Sequence, residues 1–138
     1  MVDSQRLARI LQRIDGDRLF LQGYAERPVD DIVSDAERLR AVKYAFVTMI
    51  EGCIDAAQHV CATERLGLAE SNDDAMRLLG RAGVLDADLA ASIAAAVGFR
   101  NLLVHGYAEV DNRRVVASLA RLDDIAAYTS AIGALLDH

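Results

Sequence analysis

Apolar residues recur along this chain with the period of a helix and almost never with the alternation of a strand. Leu7, Ile10, Leu11, Ile14 and Leu21 fall on one face of a first helix. Pro28 closes the link to a second helix, for which Ser34 and Glu37 give a capping-box start. That helix continues to about Arg65, interrupted by Gly52. Val42, Phe46, Met49, Cys53, Ala57, Val60 and Cys61 line one face, and Val47, Ile50 and Ile54 widen it. A stripe so broad demands partners on two sides, and in so short a chain the expected second partner is another copy of the same helix. Ser71 and Asp74 open a short third helix through Met76, Leu78 and Leu79, ended by Gly80 or Gly83. A fourth, alanine-rich helix runs from about Asp86 to Val104. A fifth starts after Asp111 and Asn112, with Val115, Val116, Leu119, Leu122, Ile125, Ala126 and Ile132 inward. The expectation is all-α: one antiparallel bundle of about five helices over residues 1–138, working as a homodimer.

Composition sharpens this. Hydrophobic residues make up 53% and aromatics 5% of 138 residues, with one proline. Alanine and leucine favour helix packing over strand pairing. The net charge of −6 argues against broad electrostatic capture of nucleic acid, so any RNA contact must be local. Arg6, Arg9 and Arg13 share a face of the first helix, as a solvated row or as a support for an RNA backbone. Cys53 and Cys61, eight apart on one helix, are too distant to bridge and are read as reduced core thiols. No apolar run approaches a membrane span and no signal peptide opens the chain, so a soluble cytoplasmic protein is expected.

The chemistry concentrates in Gly98-Phe99-Arg100-Asn101-Leu102-Leu103-Val104-His105-Gly106-Tyr107. Arg100 and His105 leave an ideal helix about 140° apart. Gly106 stands where a left-handed residue would end the helix, which would let His105 swing toward Arg100. Asn101, four residues before His105, is placed to orient its imidazole. The negative end of a helix favours the imidazolium, which suits a general acid. Arg100 supplies a permanent forked cation for a phosphate. Glu51 and Asp55, four apart on an apolar stretch, are candidates to pair with Arg100, either as plain bundle ion pairs or to orient it in the site. Arg113 and Arg114 either line the same cleft or begin a solvated helix. His59 reads as structural or solvent-facing. There is no cluster of metal-ligand residues, so neither a metal nor another cofactor is expected.

Arg100-Asn101-x3-His105-x-Tyr107 resembles the Arg-x4-His-x-Tyr motif of HepT proteins in the HEPN superfamily. Ala45–His59 is similar to their long second helix, Gly98–Asn101 to their approach to the motif, and Leu122-Asp123-Asp124 to their last helix. The resemblance implies a dimer with both motifs in one cleft, a metal-independent endoribonuclease toxin, and Arg100 and His105 as its catalytic pair. It also implies a partner antitoxin, an MntA-type minimal nucleotidyltransferase, that silences the toxin by transferring AMP to the motif tyrosine, Tyr107. The rival reading is a non-enzymatic helical subunit that positions a nucleotidyltransferase or its substrate.

Overall fold

The computed structural model describes residues 1–106 and 110–137, and those residues form helices and their connections without strands. The α-helices are α1 (Ser4–Ala25), α2 (Val29–Val33), α3 (Ala36–Thr63), α4 (Asn72–Arg81), α5 (Ala87–His105), α6 (Asn112–Ala117) and α7 (Leu122–Gly133). Tight 3₁₀ turns over Ser118–Arg121 and Ala134–Asp137 flank α7.

The side chains that start these helices satisfy backbone N–H groups that have no intrahelical partner. Asp3, Ser71, Asp86 and Asp111 cap α1, α4, α5 and α6. For α3 the capping residue is Asp35, which accepts from Glu37 and Arg38 N–H, and not the expected Ser34. Ser34 is occupied in closing α2, donating its hydroxyl to the Asp30 carbonyl. The five residues of α2 escape a reading by periodicity because they complete barely more than one turn. The fifth expected helix is two, α6 and α7, joined by the first 3₁₀ turn.

α3 is the central element. α1 runs antiparallel to it: Asp3 N–H donates to His59 Nε2 at one end, and Thr48 Oγ1 donates to Asp17 toward the other. Between them Gly52 lets the backbones close up, since a Cβ there would sit 2.7 Å from Ile14 Cγ1. α4 and α5 form a hairpin pressed together at Gly80, where a Cβ would stand 2.8 Å from that of Ala90. α7 closes the bundle through Tyr128, fully buried, whose hydroxyl donates to the Cys53 carbonyl at 2.7 Å. Burial raises the Cys53 thiol well above its ordinary value, with the Asp15 charge adding to it. Both cysteines are free and buried.

Two expectations need correction. The broad apolar face of α3 is covered within its own chain, by α1, α4 and α5 with help from α2 and α6, so no second copy of α3 is required to bury it. Apart from the exposed Leu19, Phe20 and Tyr44 on α1 and α3, an uncovered stripe of mostly small, apolar residues lies on α5. Of its 19 residues Ala90, Ile93, Ala94 and Val97 are buried, while Ala91, Ala95, Gly98, Leu102 and His105 are exposed, following one another at spacings of four and three residues along a single stripe. α5 is also long and apolar enough, by length and composition, to cross a membrane. A scan for unbroken apolar runs misses it because Asp88, Ser92 and Arg100 interrupt an alanine-rich sequence.

Candidate active site

The last two turns of α5 carry the motif. Arg100 points back onto α3 with its side chain 20% exposed, and its Nη2 donates to Glu51 Oε1 at 2.9 Å. Its Nη1 donates to Asn101 Oδ1, also at 2.9 Å. Nε is buried without a partner among the described residues. A guanidinium has five N–H groups in a rigid fork. Two are engaged and one is enclosed, which leaves one on each Nη for an incoming anion. Glu51 and Asn101 therefore fix the plane of the fork without consuming it.

His105 ends α5 and is exposed. Gly106 after it has φ −80° and ψ −17°, right-handed, not the left-handed geometry expected. Its N–H bonds the Leu102 carbonyl at 2.7 Å, so the chain simply continues its helical path for one more residue. Glycine is needed here for a different reason. A Cβ at 106 would lie 2.5 Å from the Leu102 carbonyl oxygen, closer than any side chain tolerates. Because the helix does not turn aside, His105 keeps its register and leaves α5 about 140° away from Arg100. Asn101 bonds Arg100 and makes no recorded hydrogen bond to His105. Within one subunit the cation and the imidazole do not converge.

Asp55, one turn beyond Glu51, is taken by Arg13 of α1, whose Nη2 donates to it at 2.7 Å. It thus stands apart from Arg100, and α3 shows two neighbouring acids that bind different helices. Arg113 pairs with Asp30 and ties α6 to α2. His59 holds the start of α1. Tyr107 lies outside the described residues.

One feature escapes a motif-based reading. A cleft of about 330 Å³ opens on a neighbouring flank of α5, between α3, α5 and α6–α7. Phe46 and Phe99 line it as an edge-on pair, ring centroids 5.5 Å apart. Arg114, Ser118 and Arg121 stand along its other side. Of the two arginines expected either to line a cleft or to begin a solvated helix, Arg114 lines this one while Arg113 does not; the i+4 and i+7 positions Ser118 and Arg121 complete a spacing that the sequence reading leaves unused.

A family model described as "Ribonuclease HepT-like" matches residues 6–132. Over 61 residues the chain is 34% identical to the mRNA nuclease HepT of Shewanella oneidensis, a match covering 44% of this chain and 46% of that protein, just under half of its length. Over 100 residues it is 27% identical to the tRNA nuclease HepT of Aphanizomenon flos-aquae, covering 72% of this chain and 68% of that one. Among solved structures, the tri-AMPylated HEPN toxin of Shewanella oneidensis in complex with its MNT antitoxin superposes with a TM-score of 0.86 at 24% identity, over 97% of this chain and 99% of that one. At that identity the superposition speaks for the fold alone.

Proposed function

The chain belongs to the HepT-like ribonuclease family, and from that premise we propose that it is the toxin of a toxin–antitoxin pair, a metal-independent endoribonuclease acting as a homodimer in the cytoplasm. The observation that carries the reading is the guanidinium of Arg100, held in plane by Glu51 and Asn101 with two N–H groups to spare, five residues before an exposed histidine at the helix end.

The 140° between Arg100 and His105 supports a role for a second subunit. The exposed stripe Ala91, Ala95, Gly98, Leu102 is built of three small residues and one leucine, which suits close approach of two α5 helices about a two-fold axis. His105 belongs to the same stripe, so the pairing sets two imidazoles at one seam, with an arginine fork on each outer side. RNA then needs no metal for cleavage. The ribose 2′-hydroxyl gives its proton to one imidazole and bonds to the adjacent phosphorus. The phosphorus–O5′ bond breaks, and the second histidine, as imidazolium, protonates the departing oxygen. The products are a 2′,3′-cyclic phosphate and a 5′-hydroxyl. Arg100 neutralises charge on the pentacoordinate phosphorus.

Asp55, occupied by Arg13, supports the site at most through α1, whereas Glu51 acts directly on Arg100. The antitoxin is an MntA-like nucleotidyltransferase that transfers AMP from ATP to Tyr107. An added phosphate two residues from His105 occupies the place of the RNA phosphate. In purified protein, His105→Ala abolishes RNA cleavage while the dimer and its melting temperature are retained; cleavage undiminished in that variant refutes the assignment. Incubation with the antitoxin and ATP adds AMP masses that a Tyr107→Phe variant does not acquire.

A further inference from the structure

The cleft between α3, α5 and α6–α7 is not used by this chemistry. Its floor is apolar: the buried Phe46, Met49, Ile50, Ile93 and Ile125 line it, with the half-buried Phe99 at its side. Its rim is not. Arg114 and Arg121 stand a little under two helical turns apart with the Ser118 hydroxyl between them. Arg121 is loosely engaged, with Asp124 at 3.6 Å, and Arg114 makes no ion pair among the described residues. Two cations against one acid is an unusual balance at the mouth of an apolar slot in a chain of net charge −6. The volume of about 330 Å³ is at the small end of ligand sites, which run from roughly 300 Å³ upward.

An apolar slot with an aromatic wall and an arginine rim is what single-stranded RNA requires where a base is splayed out of its stack: a π-face against the base, a fork for the phosphate beside it. Its position agrees. Phe99, in the cleft, precedes Arg100 on α5, and both lie against α3, Phe99 beside Phe46 and Arg100 beside Glu51. Resting on the ribonuclease reading above, we infer that this cleft is a base-accepting subsite for a nucleotide flanking the scissile phosphate. The base stacks against the half-buried Phe99, which the buried Phe46 backs edge-on, and the phosphate attached to it is held by Arg114 and Arg121. Such a subsite gives an acidic protein a local hold on RNA and makes cleavage depend on the base that enters.

The test uses single-stranded tetranucleotides with 2′-O-methyl groups, which cannot be cleaved, so that binding is measured apart from catalysis. The full chain binds them with amide shifts at Ala96, Phe99, Ser118 and Arg121. An oligonucleotide with one abasic position binds about fivefold or more weakly, the loss expected for one stacked base. Ala96→Leu, which fills the slot, and the double variant Arg114→Gln, Arg121→Gln each weaken binding to a similar extent with helicity and melting retained. Binding unchanged by both variants, shifts confined to other surfaces, or no difference for the abasic oligonucleotide overturns the subsite. Failure of the chain to cut unmodified RNA is a separate result, which bears on the ribonuclease reading and not on the slot.

Discussion

Replacing Gly98 by alanine asks whether α5 is a dimer seam. Within the subunit a Cβ at position 98 meets nothing within 4 Å, and the residue is mid-helix and exposed. In an isolated subunit the change therefore does one thing, removing the entropic cost of a helical glycine. That stabilises by up to about 1 kcal/mol, roughly 3 °C in melting temperature for a chain of this size. At a two-fold seam the same methyl appears twice, opposite a backbone that the glycine had allowed to approach. Overpacking a close interface costs about 1–3 kcal/mol per site, so the pair weakens association by about 2–6 kcal/mol, at least roughly thirtyfold in Kd. Sedimentation equilibrium gives the association constant, and melting at low concentration, where monomer prevails, gives the intrinsic gain. The reasoning requires both signs together: a more stable subunit and a weaker dimer. An unchanged dimer constant with a raised melting temperature refutes α5 as the seam.

The same substitution at two other glycines has opposite outcomes: Gly16→Ala, with nothing within 4 Å, raises the melting temperature, and Gly52→Ala, meeting Ile14 Cγ1 at 2.7 Å, lowers it. The clash, about 1–3 kcal/mol, outweighs the propensity gain; differential scanning calorimetry decides, and equal shifts sink the packing argument. In alkali the protein loses stability. Cys53 and Tyr128 are held above their ordinary values of 9.0 and 10.0, chiefly by burial, so their contributions are complete below those values and fall as pH rises, when the unfolded chain ionises first. The slope is about 1.4 kcal/mol per pH unit above pH 9, and steeper above 10. Urea titrations of the protein and of Cys53→Ala check it, the variant showing a shallower first limb because burial raises the Cys61 thiol too. Glu51→Gln keeps the shape of the Arg100 partner but not its charge, and lowers kcat for RNA more than it changes KM; a pure KM effect means that Glu51 does not position the fork. RNA affinity falls only gently with salt, a slope of about −2 in log K against log salt for three arginines, Arg100, Arg114 and Arg121; a slope of about −3.5 or steeper points to a basic track that adds Arg6 and Arg9.

How far the sequence carries depends on whether a signal is local. The stripes of α1, α3 and α7 and the helix starts at Ser71, Asp86 and Asp111 are read correctly because periodicity and start signals each act within a few residues. Tyr128 is missed, since its burial depends on a carbonyl 75 residues away. The assignment of Glu51 to α5 and Asp55 to α1 is likewise a tertiary fact; two acids four apart look alike until the neighbouring helices are in place. Gly106 shows a different failure. A glycine at a helix end usually marks a left-handed cap, but here it relieves a contact with the Leu102 carbonyl while the backbone stays right-handed.

That last difference changes the mechanism. Had Gly106 been left-handed, one subunit would hold a complete arginine–histidine pair, and dimerisation would be an ornament to a working site. Right-handed, it keeps His105 in register with Gly98 and Leu102, on the face that the fold leaves open, while Arg100 is committed to Glu51 on the opposite side. The subunit so built is incomplete by geometry and apolar along the same stripe that carries its histidine. In the dimer proposed above, both deficits are met by one event, the pairing of two α5 helices, which would bury the stripe and set two histidines together between two forks. Dilution below the dimer constant should therefore extinguish RNA cleavage at the same concentration at which the stripe becomes exposed to solvent.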